Sequence, residues 1–287
     1  MKLISSLVLI AACAVFPLMS EWAYADEAAA RKALDVAFQD MQARADKMPD
    51  VRFAFTSTYT LKENKKGDGE SEKVVYRFDP SKPEDQQYTI ISPAREGHKK
   101  LYKKARKQFQ QEQKRAREKG VDQSADRSLL VKNMVELTNS DTEGEDDSLN
   151  YLRETDHEYI FGFQPGSADI NIGGDDSDDD DEDANKDKPL SEKQKKRLVE
   201  ITEALKGEMA VDKDKGLINW FRLFSVKPFH PMSGVKVKEM DMHMVFTQLP
   251  DGGPYVIQDL QAKVRAKLVV IKVSENEKIS NRDFEIK

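Results

Sequence analysis

Residues 237–246 read VKEMDMHMVF, with Met240, Met242, Met244 and Phe246 at every second position. In an extended chain successive side chains point to opposite faces, so the three thioethers and the phenyl ring share one side. Glu239, Asp241, His243 and Thr247 share the other. An antiparallel strand patterned in this way has one face on a core and one in water. What covers the methionine face is the question on which the rest of the reading turns.

Working outward, the neighbouring segments keep the same period. Asp251-Gly252-Gly253 is a turn, and YVIQDLQAKVRAKLVVIKV from Tyr255 runs back as one strand, with Leu260, Ala262, Val264, Ala266 and Leu268 facing in and Lys263, Arg265 and Lys267 facing out. A final strand carries Ile279 to Ile286. Upstream, GEMAVDKDKGLINWFRLFSV is a hairpin turned at Asp214-Lys215-Gly216. Its second arm places Ile218, Trp220, Phe224 and Val226 on one face and Leu217, Phe221 and Leu223 on the other. Both sides are apolar, so the pattern leaves open which one looks inward. In the N-terminal half, VRFAFTSTYTL and a return strand with Val74, Tyr76 and Phe78 form a long hairpin, and QYTIIS, NYLRETD and HEYIFGF are shorter strands.

Helices are few. Leu34, Phe38, Met41, Ala45 and Met48 recur at helical spacing over Glu27 to Asp46, and Pro49 ends that helix. Leu101, Ala105 and Phe109 form a narrow apolar stripe on a basic surface helix, and Leu130, Met134 and Leu137 mark another. Ser191, with Gln194 three residues later, caps a helix that buries Leu198, Ile201 and Leu205. The order of elements predicts an α+β fold: a curved antiparallel sheet, an incomplete β-barrel, with helices covering its concave face.

The chain opens with an apolar stretch, Leu3 to Met19, followed by Ala23-Tyr24-Ala25, which has the form of an export cleavage site. Residues 1–25 are expected to be a signal peptide cleaved after Ala25, leaving 26–287 as a single periplasmic domain. A second reading makes Ile10-Ala11-Ala12-Cys13 a lipobox, with Cys13 lipid-anchored. Cys13 is the one cysteine, so the domain has neither a disulfide nor a thiol nucleophile. No later apolar run approaches the roughly 20 residues of a membrane-spanning helix.

Charge is distributed in blocks. Lys99 to Lys119 carries ten Lys or Arg against two Glu, whereas Asp175 to Asp187 carries nine carboxylates and one Lys. The acidic block lies in an aperiodic insertion, about residues 165–188. It is rich in hard oxygen ligands but lacks the glycine and terminal glutamate spacing of an EF-hand loop, so Ca²⁺ binding there stays open. The basic block suits contact with an anionic membrane surface. Nucleic acid is not an expected partner outside the cytoplasm.

The N-terminal helix leading into VRFAFTSTYT, the strand ending VVYRFDP, the LKGEMAVDKDKGLINWFRL hairpin and the meander ending NRDFEIK together resemble the LolA/LolB-like periplasmic lipoprotein carriers. The resemblance implies an incomplete antiparallel barrel closed by helices, with acyl chains held between them. It also implies a non-enzymatic carrier of lipids or lipoproteins that needs no cofactor. An arginine after an early strand helps latch the lid in that family; the nearest candidate is Arg77, although Phe78 and Asp79 separate it from the proline.

Three readings fit the methionine face: ordinary core, a groove contacting lipid, or soft ligands for Cu(I). His243 falls on the opposite face of the same strand, which argues against copper. The four histidines, His98, His157, His230 and His243, have neither zinc-protease spacing nor an obvious serine partner, and no glycine-rich phosphate loop is present. No catalytic or metal-binding residue is therefore expected. The groove reading is lined by Phe53, Phe55, Tyr76, Trp220, Phe224, Met240, Met242, Met244 and Leu260. The alternative is an envelope interaction or sensor module on the same scaffold, its cavity filled by its own side chains and its partner a protein.

Overall fold

The computed structural model describes residues 27–44, 51–63, 71–119, 149–166, 191–268 and 271–287. The signal segment with Cys13, the helix expected around Leu130 to Leu137 and the acidic block at 175–187 lie outside the described residues, as do Ala45 and Met48. Three helices and eleven strands are described: α1 (27–44), β1 (Phe53–Glu63), β2 (Ser71–Phe78), β3 (Tyr88–Ser92), α2 (Lys99–Lys119), β4 (Leu149–Glu154), β5 (Glu158–Phe163), α3 (Glu192–Ala204), β6 (Leu205–Asp212), β7 (Ile218–Ser225), β8 (Phe229–Met232), β9 (Val235–Gln248), β10 (Tyr255–Leu268) and β11 (Ile271–Ile286).

All eleven strands belong to one antiparallel sheet in the order β3-β2-β1-β11-β10-β9-β7-β6-β5-β4, with β8 added beside the start of β9. The two edges, β3 and β4, do not pair, so the barrel is incomplete. This is the α+β architecture expected from the strand pattern. Its centre is non-local: β1 pairs with β11, Tyr59 opposite Ile279, which joins the N-terminal hairpin to the C-terminal meander.

One expectation about the strands is corrected. The run from Tyr255 to Val273 is two strands rather than one, because the chain reverses between Leu268 and Ile271, which pair with each other. The segment KLVVIK has no Gly, Pro, Asn or Asp to announce a turn. The last strand accordingly begins at Ile271 instead of Ile279.

The helices bury their stripes on the sheet face that carries the methionines. In α1, Ala30, Leu34, Ala37 and Met41 meet Phe161, Phe163, Met209, Phe221, Met244 and Phe246. Its last described turn is tied down where Arg44 pairs with Asp40 at 2.6 Å and bonds the carbonyl of Gly252, while the Tyr255 hydroxyl donates to Asp40 at 3.1 Å. In α2, Ala105 and Phe109 cover an aromatic cluster of Phe53, Phe55, Tyr76 and Phe78, with Phe109 stacked on Tyr88 at 4.5 Å. In α3, Ile201 and Ala204 pack with Leu205, Phe229 and Val237, and its start is the expected capping box: Ser191 Oγ accepts from the Gln194 amide while Gln194 Oε1 accepts from the Ser191 amide.

Candidate functional site

Antiparallel register sets directly opposite side chains about 5 Å apart on the same face, so rows across the inner face follow from the pairing. One row runs Val74, Tyr59, Ile279, Leu260, Met244, Phe221, Met209, Phe161. The next runs Glu72, Leu61, Glu277, Ala262, Met242, Leu223, Gly207, Phe163. Met244 is buried under α1, Met240 packs against the cluster under α3, and Met242 lies between them, packed against the α1 cluster. Leu223 touches both clusters, which marks the seam where one helix stops and the other starts. Along that seam Met240, Met242, Leu223, Leu260, Ala262 and Val264 are only half-buried.

The half-buried strip continues to Ile279 and Tyr59, which form part of a cavity of about 210 Å³ between α2 and the sheet. Its apolar wall includes Val74, Tyr76, Leu101 and Phe109, and its polar groups are Glu72, Lys104, Gln108 and Glu277. Lys104 neutralises Glu72 at 2.8 Å. Burial, reinforced by the Glu275 carboxylate, holds Glu277 above the usual carboxylate range. From Tyr59 on β1 to Leu223 on β7 the strip crosses four strand spacings, roughly 19 Å.

The raised Glu277 carboxyl has a measurable consequence. A carboxyl whose folded value is raised stabilises the fold fully while protonated, below its unfolded value, and loses that contribution as pH rises through the folded one. Glu277→Gln is therefore expected to raise Tm at neutral pH and to leave it nearly unchanged in acid below the usual carboxylate range. A lower Tm at neutral pH, or the same shift at both, would contradict the assignment.

Sequence reasoning placed seven of the nine lining candidates on the inner face. Phe53, Phe55 and Tyr76 lie deep in the cluster under α2, Met244 under α1, and Met240, Met242 and Leu260 along the seam. Trp220 and Phe224 are corrected. Trp220 pairs with Val245 and Phe224 with Asp241, so both stand on the outer face, while Phe221 and Leu223 between them point inward. The Trp220 indole donates to Glu158 at 3.3 Å and its ring lies 5.5 Å from His243. Beside it Arg222 forms a two-pronged bond with Asp241 at 2.9 and 2.8 Å and covers the ring of Phe224. That bond holds the Asp241 carboxyl below its ordinary range.

Arg77 is corrected as well. It alternates with Tyr76 and Phe78 and so points outward, where it donates to the carbonyl of Asp283 at 2.7 Å and pairs with Glu285 at 3.0 Å. It clips β11 to β2 across β1, and these bonds join strand to strand rather than strand to a described helix. The seam and the Glu277 cavity escaped sequence reasoning; the available signal was the pair Glu275 and Glu277 on the inward phase of β11.

Among the described residues no cluster of three or more His, Cys, Asp or Glu could hold a metal ion, and no helix is long and apolar enough to cross a membrane. No family model and no curated protein matches the sequence. Among solved structures the chain is similar to a LolA superfamily protein from Nitrosomonas europaea, at 10% identity over 86% of this chain and 93% of that one, with a TM-score of 0.28. A TM-score of that size gives the likeness no weight of its own. The open antiparallel sheet with helices on its inner face is nevertheless the architecture that the resemblance in sequence implied.

Proposed function

We propose that this is an exported, non-enzymatic binding protein of the cell envelope that holds a lipid acyl chain, free or on a lipoprotein, along the half-covered strip of its inner face. The observation that carries the reading is the seam: the three described helices share the inner face, yet Met240, Met242, Leu223, Leu260 and Ala262 stay half-buried between the cluster under α1 and the cluster under α3. Thioether side chains suit such a place, being flexible and polarizable enough to follow an irregular ligand. Burying about ten methylenes would contribute some 8 kcal/mol before the costs of association.

One observation favours the other reading, a module with a protein partner. Each described helix buries its stripe directly on the sheet, and the cavity that adjoins the strip, about 210 Å³, is small beside the several hundred Å³ of a pocket for a drug-sized ligand. Native mass spectrometry of protein recovered from the envelope separates the two. A binding protein of this kind should carry a lipid-sized mass, Met242→Glu should lose it while keeping a folded spectrum, and Met242→Leu should keep it. Wild-type protein that carries no extra mass, or a folded Met242→Glu variant that still carries one, would defeat the proposal.

A further inference from the structure

At one end of the sheet three central strands stop together: β9 begins at Val235, β10 ends at Leu268 and β11 begins at Ile271. Register makes Leu268 a neighbour of both Val235 and Ile271, and Met232 of β8 is opposite Val235. These four side chains form an apolar rim. Leu268 is 40%, Met232 50% and Ile271 61% exposed. The rim continues the inner face, since Val237, Ala266 and Val273 are the next inward positions and Met240 and Val264 follow.

One residue back from the rim, on the opposite face, stand three lysines in a line. Lys267 is directly opposite Lys236 on one side and Lys272 on the other. All three are exposed and none is ion-paired to another described residue. Like charges directly opposite each other oppose sheet formation, and further along the same strands three outer-face cations do find partners: Lys263 and Arg265 both pair with Glu239, and Arg282 pairs with Asp259. An unmatched cation row behind an exposed apolar edge has the layout of an interfacial contact. The apolar side chains enter the headgroup boundary and the ammonium groups reach anionic headgroups on long stems.

We infer that this end of the sheet, the rim of Met232, Val235, Leu268 and Ile271 with Lys236, Lys267 and Lys272 behind it, docks on an anionic lipid bilayer. This surface goes beyond the binding strip and does not need it to be filled. It also differs from the basic helix α2, where Lys104 is paired to Glu72 and the apolar stripe is covered by the sheet.

The test is co-sedimentation of the purified protein with vesicles of phosphatidylcholine alone and of phosphatidylcholine mixed equally with phosphatidylglycerol. The wild type should bind the mixed vesicles, and less so as salt is added. At about one order of Coulombic advantage for every one or two cations near the surface, the K236Q/K267Q/K272Q variant should lose on the order of a hundredfold in affinity. L268S/I271S should also bind more weakly, and K99Q/K100Q/K103Q in α2 should bind as the wild type does. The lysine variant should be at least as stable as the wild type, since it removes repulsion, so a loss of binding is not a loss of fold. No binding of wild type to mixed vesicles, undiminished binding by the tip variants, or a loss that follows the α2 variant instead would each overturn the inference. A wild type that dimerises in sedimentation velocity through the same rim would do so too, by giving it a second copy as its cover. The inference and the acyl-strip reading fail separately: Met242→Glu should still bind vesicles, and the lysine variant should still retain a bound lipid mass.

Discussion

Phe221→Ala is expected to destabilise the fold by about 3–5 kcal/mol, the range for truncating a fully buried aromatic side chain. Phe221 is 2% exposed and sits in the cluster under α1, its ring 5.0 Å from that of Phe163 and its strand position between Met209 and Met244. The adjacent residue supplies the control. Trp220 is larger, but its face is the outer one and it stays half-exposed. Trp220→Ala is therefore expected to cost about 1–2 kcal/mol, because much of its surface is wet in both states. Urea unfolding of the two variants settles which face of β7 is inside. If Trp220→Ala is as damaging as Phe221→Ala, the inner and outer faces have been assigned the wrong way round.

Gly207→Ala is the second large effect, and its cause is a single close approach. A Cβ built on Gly207 would lie 1.9 Å from Cζ of Phe163 and 2.2 and 2.4 Å from its Cε atoms. The ring occupies the space above Gly207 because the two residues are cross-strand partners, and it cannot retreat easily: Phe163 is buried and rests on Phe221. Overpacking of this kind costs about 1–3 kcal/mol, while removing a glycine returns about 0.4–1 kcal/mol through the unfolded chain. A net loss is expected. The double variant Gly207→Ala/Phe163→Ala should be less damaged than the sum of the two singles, since the alanine methyl then has room. An alanine variant as stable as the wild type would show that the ring does not lie over β6.

The central strand VKEMDMHMVF illustrates why so much of this fold was legible. Side-chain alternation is a property of the extended backbone itself. It marks β1, β2, β5, β7 and β9 and the common side of the three methionines without reference to their partners. The helix cap at Ser191 and the turn at Gly216, which has φ +61°, are equally local. The failures are local ambiguities that distant residues resolve. KLVVIK carries no turn residue, so the reversal between β10 and β11 depends on both strands finding register with each other and with β1. Trp220 and Phe221 are both aromatic, and hydrophobicity alone could not rank them. Pairing with Met244 decides for Phe221.

From its sequence alone, then, this chain determined which residues alternate, where the helices carry their apolar stripes, and that an α+β protein built on one antiparallel sheet would result. These depend on the stereochemistry of a few consecutive residues. Only the tertiary structure decided which side of β7 is inner, that Arg77 clips β11 rather than a helix, that a seam crosses the methionine row, and that three lysines line up behind an apolar rim. Each of these is a relation between strands far apart in the chain. It is settled by register, which couples every side chain of a strand to its neighbours at once.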